Sequence, residues 1–221
     1  MKPGWTFAVF CTSLIAILTI AAAPEHPAIT QYRAYVAAVR AGDEKALLAM
    51  AVPFSKPDQA LQLAHIRSNI AEEQLRKETV ARLGPIDYKN DDGWMDTGIP
   101  PDEMIKDLKA TEDSGLAGIM MKNPENGRMD LPMSTLKKVN GKWLVPFGFE
   151  FNFEAGDNAD RVFLETKGEG RDLMLRQFNA TTKAVPELIK RLQNNEFKKR
   201  SEVLSALTAA TAPRGEGAID K

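Results

Sequence analysis

The chain has 221 residues, of which 43% are apolar and 27% are charged, and its formal net charge is −1. These values are close to the average for soluble globular proteins and exclude a disordered, collagen-like or multi-span membrane chain. No strong field of one sign is available to recruit nucleic acid, so we expect no nucleic-acid partner.

The first 23 residues contain the three parts of a secretory signal. Lys2 supplies the positive end, an apolar stretch runs from Trp5 to Ile20, and residues 21–23 are the small residues that a signal peptidase accepts. We therefore predict an exported protein, periplasmic or extracellular. Two alternatives are an uncleaved membrane anchor formed by residues 5–23, which approach the length that spans a bilayer, and a lipid anchor on Cys11.

Cysteine usage agrees with export. Cys11 is the only cysteine of the chain, so cleavage leaves none. Disulfides, zinc–thiolate sites and cysteine nucleophiles are then excluded. The roughly 198 residues that remain are enough to form a core without cross-links.

Three helices are predicted in the first half of the chain. An apolar stripe predicts the first over Ala28–Ala41, with Gly42 as its left-handed cap. Asp43 is the predicted N-cap of a second helix, Glu44–Val52, which Pro53 ends. A third helix is expected from Ser55 to Leu83. Its buried side is expected to carry Leu63, Ile66, Ile70 and Leu75, and the charged residues 72–82 are expected to form a solvated face.

Short strands and turns are predicted after Pro85. Residues 86–88 and 94–99 suggest short strands or an irregular entry, residues 100–111 suggest a helix, and residues 115–122 suggest a strand. Asn126-Gly127 and Asn140-Gly141 are turn signals, and the second pair predicts a hairpin between Leu136–Val139 and Lys142–Val145. The alternating Phe147, Phe149, Phe151 and Phe153 predict that the chain stays extended to Phe153.

The C-terminal part is predicted to be helical. A helix start is expected near Asp157 and Asp160, with an interruption at Gly168 and Gly170. A helix over Leu173–Leu192 is expected to kink or restart at Pro186 and to end at Asn194-Asn195. Ser201 is the expected cap of a last helix over residues 202–210, before a frayed tail.

The common catalytic motifs are missing from the sequence. His26 and His65 are the only histidines, no G-x-S-x-G turn accompanies them, and no H-E-x-x-H motif or glycine-rich phosphate loop is present. A lone helical histidine such as His65 is more often structural. The acidic patch of Asp87, Asp91, Asp92 and Asp96 does not match an EF-hand calcium loop, because the first and last ligands of the loop are missing. Residues 198–200 form the densest basic run, for which we expect a helix-end role. We predict no metal and no cofactor.

Two stretches resemble a known superfamily. The helix, Gly-Asp corner and short Ala-Leu helix of YVAAVRAGDEKALLAM (Tyr35–Met50) and the hairpin LKKVNGKWLV (Leu136–Val145) resemble the cone-shaped nuclear-transport-factor-two-like superfamily. The resemblance implies a strongly curved antiparallel sheet wrapped round helices, with a cavity between them. The acidic and tyrosine positions of its ketosteroid-isomerase-like members find no match here, so no catalytic role is carried over.

The sequence thus predicts an α+β fold in which N-terminal helices pack on a curved antiparallel sheet, with a helical C-terminal extension. Residues 24–153 are expected to form the cone-like part and residues 154–221 the extension. The predicted function is that of an exported, non-catalytic binding or accessory module for a small apolar ligand or a protein partner. The candidate pocket residues share an aromatic, imidazole or thioether side chain, and are Tyr32, Tyr35, His65, Trp94, Met120 and Trp143.

Two other function classes remain open. One is a lyase, isomerase or hydrolase that uses cavity carboxylates with Tyr32, Tyr35 or His65. The other is an assembly module whose C-terminal helices pack on a partner or form a homodimer, which an exposed apolar patch along Leu173–Leu192 would favour.

Overall fold

A computed structural model describes residues 24–53, 56–85, 99, 104–122, 127–129, 131–147 and 169–212. Helices pack on a curled, four-stranded antiparallel sheet, and further helices follow it, which confirms the predicted α+β fold. The helices are α1 (Pro27–Ala41), α2 (Glu44–Met50), α3 (Lys56–Leu83), α4 (Glu169–Gln193) and α5 (Arg200–Thr211). The strands are β1 (Leu108–Asp113), β2 (Leu116–Met121), β3 (Leu131–Val139) and β4 (Lys142–Leu144), paired in chain order.

The corner between α1 and α2 forms as the sequence predicts. Gly42 adopts a left-handed φ of 67°, and Asp43 Oδ1 accepts a 2.9 Å hydrogen bond from the Ala46 N–H at the start of α2. The second helix ends at Met50, before the predicted Val52, because the following segment becomes extended. Ala51 pairs in parallel with Val145, so this segment is tied to the end of β4.

Turn chemistry builds the sheet. Asn140 and Gly141 have φ of 49° and 78°, and the β3–β4 hairpin forms as predicted. Ser114 and Gly115 have φ of 48° and 80° and join β1 to β2. The predicted helix over residues 100–111 is therefore wrong over Leu108–Thr111, because the Ser114–Gly115 turn pairs this segment with β2. The strand predicted over residues 115–122 is confirmed as β2.

Two apolar clusters meet along α3. The first lies between α1, α2, the first half of α3 and the sheet, and includes Tyr32, Ile66 and Ile119. The second lies between the second half of α3, α4 and α5, and its larger members are Leu75, Val185, Leu188, Leu192, Phe197, Val203 and Leu207. The predicted solvated face over residues 72–82 is accordingly wrong in part, since Glu73 and Thr79 are buried where other helices cover α3.

The C-terminal helices depart from the expected breaks. Helix α4 begins at Glu169 and includes Gly170 and Pro186 without a restart, and it ends at Gln193, before the predicted break at Asn194-Asn195, where Asn195 has a φ of 60°. The burial of Val185 and Leu188 on either side of Pro186 holds the helix against its neighbours. The cap of α5 is Lys199 and not Ser201, since Glu202 accepts hydrogen bonds from the backbone N–H groups of Lys198 and Lys199.

Arg200 ties the start of α5 to the end of α3. Its guanidinium donates to the carbonyl oxygens of Leu83, Gly84 and Pro85, with a distance of 2.9 Å to Gly84 O. These are carbonyls at a helix C-terminus, where a cation is favourable. The helix-end role expected of residues 198–200 is therefore realised by Arg200, on a helix other than its own.

Some predicted features lie outside the described residues. They are the segments 86–98 and 148–168, the Asn126 turn position, the acidic patch compared above with an EF-hand loop, and the N-terminal signal. Phe147 lies in a turn, and β4 already ends at Leu144. Within the described ranges, no helix is long and apolar enough to cross a membrane.

Candidate functional site

Five aromatic rings form a continuous row where the sheet, α1, α3 and α4 meet. The Tyr32 and Tyr35 ring centroids are 5.8 Å apart, and Tyr35 and Phe147 are 5.7 Å apart. His65 meets Phe147 edge-on at 5.7 Å, and it stacks in parallel on Phe178 at 4.4 Å with an interplanar angle of 4°. We call these residues, in the order Tyr32, Tyr35, Phe147, His65 and Phe178, the aromatic row.

Four parts of the fold position the five rings. Tyr32 and Tyr35 are three residues apart on α1 and so lie on one helix face. Phe147 lies two residues after Val145. The pairing of Val145 with Ala51 fixes the direction in which the chain leaves β4. His65 is on α3 and Phe178 is on α4, so their stack joins the two helices. Edge-on and offset ring contacts each contribute about 0.5–1.5 kcal/mol beyond area burial.

The row is partly accessible. Tyr32 and Phe147 are buried, whereas Tyr35, His65 and Phe178 are half-buried. Sites for small apolar molecules are lined mainly by aromatic and aliphatic side chains with few polar groups, so the row is a candidate lining for such a site.

A polar cluster adjoins the Tyr35 end of the row. Asn69 Nδ2 donates to the Tyr35 hydroxyl oxygen at 3.2 Å, and the Ser68 hydroxyl donates to Glu72 Oε1 at 3.0 Å. Glu72 is followed directly by Glu73, and Ser68 and Asn69 lie one turn earlier on α3. Ser68 and Glu73 are buried, whereas Asn69 and Glu72 are half-buried.

Glu73 is the most buried carboxylate of the described residues. Its side chain is 1% exposed, and Arg76 donates to its two oxygens at 2.6 and 2.8 Å. Arg40 Nε lies 3.9 Å from the same carboxylate. The charge is therefore neutralised by a bidentate partner, as a buried carboxylate requires.

The protonation states of the site follow from burial. Burial raises the pKa of the Tyr32 and Tyr35 phenols, so both hydroxyls keep their protons across the physiological range. Burial lowers the pKa of His65 to about 4, which keeps the imidazole neutral at pH 7. Burial also raises the pKa of Glu72, against the effect of its Ser68 hydrogen bond.

The structure brings three of the six predicted pocket residues together, namely Tyr32, Tyr35 and His65. Trp143 is buried elsewhere on the sheet, with its ring 5.8 Å from His26 and 5.1 Å from Lys138 Nζ. Met120 lies on the β2 face opposite to Ile119, because successive strand residues alternate, and Ile119 belongs to the first apolar cluster. Trp94 lies outside the described residues.

Sequence reasoning missed Phe178, Asn69 and the Glu73–Arg76 pair as site residues. The E-x-x-R spacing of Glu73 and Arg76 was a visible signal for an intrahelical ion pair. No comparable signal identified Phe178, because its contact with His65 joins residues that are far apart in sequence.

The arrangement of these side chains favours ligand binding over catalysis. The hydrogen bonds of the two nearest carboxylates go to Ser68 and to Arg76, and the Tyr35 hydroxyl oxygen accepts from Asn69. In the part of the chain that the structure describes, no group of three or more His, Cys, Asp or Glu side chains is placed to hold a metal ion. No protein-family model, curated protein or solved structure matches this chain.

Proposed function

We propose that the protein is an exported, non-catalytic module that binds a small, planar, apolar molecule at the aromatic row. The observation that carries the proposal is the stack of His65 on Phe178, two half-buried rings on different helices at 4.4 Å. The two rings cover each other's inner faces at this spacing, so a flat ligand would contact their half-exposed outer parts beside Phe147. A flat ligand would bury its faces against rings that the fold already orders, which lowers the entropic cost of binding.

The proposal is tested with a neutral fluorescent probe, N-phenyl-1-naphthylamine, titrated into the purified protein. We expect saturable binding that His65→Ala and Phe178→Ala each weaken at least about tenfold, since each removes one face of the stack. Leu48→Ala is the matched control, because Leu48 is 43% exposed on α2 and is not part of the row. Binding that the Leu48 change weakens as much as the row changes would refute the proposal.

Export is the second part of the proposal. Helix α1 begins at Pro27 with His26 as its cap, so removal of residues 1–23 would leave this helix intact. The mass of the protein after secretion in a bacterial host tests the idea. A chain that begins near Pro24 in the periplasmic or extracellular fraction is expected, and a full-length chain in the membrane fraction would favour the uncleaved anchor.

We also propose membership of the cone-shaped nuclear-transport-factor-two-like superfamily. The order of α1, the Gly42–Asp43 corner and α2, followed by a curled antiparallel sheet, supports it. The long α3 and the packing of α4 and α5 on it are additions to the basic cone. A crystal of the protein under xenon pressure is expected to show xenon in an enclosed cavity between α1 and the sheet, and a fully packed junction without xenon would count against membership.

The enzyme alternative has less support than binding. It needs a buried carboxylate in hydrogen-bond reach of Tyr32, Tyr35 or His65, whereas Glu72 is bonded by Ser68 and Glu73 by Arg76. The assembly alternative is weakened because Val185, Leu188 and Leu192 pack inside the chain.

A further inference from the structure

Strand β1 lies at one edge of the sheet, and within the described part of the chain it pairs only with β2. At the other edge, the Val145 N–H donates to Met50 O at 2.8 Å and the Val52 N–H donates to Val145 O at 3.0 Å, so the segment after α2 covers the end of β4. Leu108 and Ala110 pack on the first apolar cluster, which gives β1 a covered inner face. The outer face and the edge of β1 are not covered by any described element.

The turn after β1 determines which of its backbone groups point away from β2. Asp113 and Leu116 flank this two-residue turn and face each other in the register, so they exchange both of their backbone hydrogen bonds. Hydrogen-bonded pairs alternate along an antiparallel ladder, so the N–H and C=O groups of Ala110 and Glu112 point to the edge. Among the described residues, these backbone groups have no hydrogen-bond partner. Such an edge is a template for a further strand.

The exposed side chains of β1 are complementary to those of a second copy. Lys109, Thr111 and Asp113 share the outer face of the strand, and all three are exposed. Two β1 strands can pair antiparallel with Ala110 of each copy opposite Glu112 of the other. Lys109 of each copy then faces Asp113 of the other, and the two Thr111 residues meet at the two-fold axis. Opposite charges that face each other across two strands stabilise their pairing.

The charges also favour this register and this partner. In the neighbouring register, with Ala110 opposite Ala110, Asp113 would face Asp107, an exposed carboxylate just before β1. Like charges directly opposite each other are destabilising. Charged edge strands also resist pairing with unrelated strands. A second copy of β1 satisfies the charges that would repel other partners.

We propose that two copies of the protein form a symmetric dimer through antiparallel pairing of their β1 strands, which joins two four-stranded sheets into one. Each Ala110–Glu112 pair contributes two backbone hydrogen bonds, and each Lys109–Asp113 pair contributes an exposed ion pair. One pair of short strands is smaller than a standard interface of about 800 Å² per partner, so we expect a Kd of about 10–100 µM. The dimer requires no ligand at the aromatic row.

Sedimentation velocity of the purified protein between about 5 and 500 µM tests the dimer, and a transition from monomer to dimer is expected. Lys109→Asp and Asp113→Lys each place like charges across the interface and should raise Kd about tenfold. The double variant restores opposite charges and should return Kd to within about threefold of the wild type. Lys142→Asp is the matched control, because it makes the same charge change at an exposed position of β4, at the other edge of the sheet.

A disulfide cross-link tests the register. Cys11 is the only cysteine of the chain, so the variants are made in a Cys11→Ser background. Thr111→Cys places two thiols opposite each other in a non-hydrogen-bonded pair, where Cα atoms lie about 4.5 Å apart and a disulfide can form. Oxidation should therefore give a covalent dimer. Ser114→Cys, at an exposed position of the adjoining turn, should stay monomeric.

The results that would overturn the inference are specific. They are a monomer throughout the concentration range, a dimer that Lys142→Asp weakens as much as Lys109→Asp, and a double variant that dimerises no better than the single variants. Cross-linking of Ser114→Cys as readily as of Thr111→Cys would likewise overturn the proposed pairing. Circular dichroism spectra that match the wild type are expected for every variant, because all the changes are at exposed positions.

Discussion

The Glu73 carboxylate is held by Arg76 in the interior, whereas the Glu44 carboxylate is held by Arg67 at the surface. Both pairs are bidentate, with distances of 2.6 and 2.8 Å in the first and 2.9 and 3.2 Å in the second. They differ in solvation, because the Glu73 side chain is 1% exposed and the Glu44 side chain is 38% exposed. Although the two ion pairs have similar geometry, breaking them should change the free energy of unfolding by different amounts.

We predict that Arg76→Met lowers the free energy of unfolding by about 3 kcal/mol, because among the described residues it leaves the buried carboxylate with Arg40, 3.9 Å away, as its remaining cation. The matched change Arg67→Met should cost less than about 1 kcal/mol, since water solvates the exposed carboxylate that remains. Urea unfolding of both variants measures the difference. Equal losses would mean that Glu73 is better hydrated than its burial indicates.

His65 should make stability depend on pH in the acid range. Its pKa in the folded protein is lowered to about 4 by burial, from a model-peptide value of 6.5. The unfolded chain therefore binds more protons between these values, so the folded state loses stability as the pH falls from about 6.5 towards 4. The ring is half-buried and its charged form can interact with the Phe178 face, so we expect a loss of about 2 kcal/mol.

Urea unfolding of the wild type and of His65→Leu between pH 7 and pH 4 isolates this effect. The stability of the variant relative to the wild type should rise as the pH falls. Glu72 acts with the opposite sign, because its raised pKa favours the folded state at low pH, but it is present in both proteins. His26→Ala is the control, and a similar relative gain in that variant would contradict the assignment to His65.

At the scale of single elements, two glycines with open space around them should respond in opposite ways to alanine. Gly141 has a φ of 78° in the β3–β4 turn, and Gly170 lies within α4. Among the residues that the structure describes, no atom outside the local backbone lies within 4 Å of the position of an added methyl group at either site, so steric contact does not decide the result. The effect of each substitution on stability is therefore decided by the backbone conformation that alanine and glycine prefer.

We predict that Gly141→Ala lowers the free energy of unfolding by about 1–2 kcal/mol, because L-residues disfavour the left-handed region. Gly170→Ala should raise it by up to about 1 kcal/mol, because alanine loses less entropy than glycine in a helix. Thermal unfolding followed by circular dichroism measures both changes. A destabilising Gly170→Ala would show that the start of α4 is not helical in solution.

The elements that could be predicted are those whose signals are local. Gly42 and Asp43 set the α1–α2 corner through backbone and capping preferences, and Asn140-Gly141 sets the hairpin. Leu108–Thr111 was mispredicted because local helix-start signals precede it, while its strand state depends on pairing with β2. Pairing with another segment also overrides the expected end of α2, where Ala51 joins Val145.

At the scale of the whole molecule, α3 is the element that sequence reasoning described least completely. One apolar stripe was expected on it, but it contributes Ile66 to the first cluster and Leu75 to the second. The second contact could not be predicted, because it depends on α4 and α5 returning to α3 from much later in the chain. The packing of α4 on α3 also places Phe178 on His65. Phe178, one of the two rings of this stack, was therefore not predicted as a site residue.

Because both clusters share α3, the helices and the sheet should unfold together. We predict that Leu188→Ala, in the second cluster, lowers the free energy of unfolding by about 2–5 kcal/mol. Leu173→Ala on the same helix should cost less than about 1 kcal/mol, because its side chain is 39% exposed. The near-ultraviolet circular dichroism signal of aromatic residues in the first cluster, such as Trp143, should lose structure at the same urea concentration as the far-ultraviolet helix signal. Two separate transitions in Leu188→Ala, with the aromatic signal unchanged from the wild type, would show that α3 does not couple the clusters.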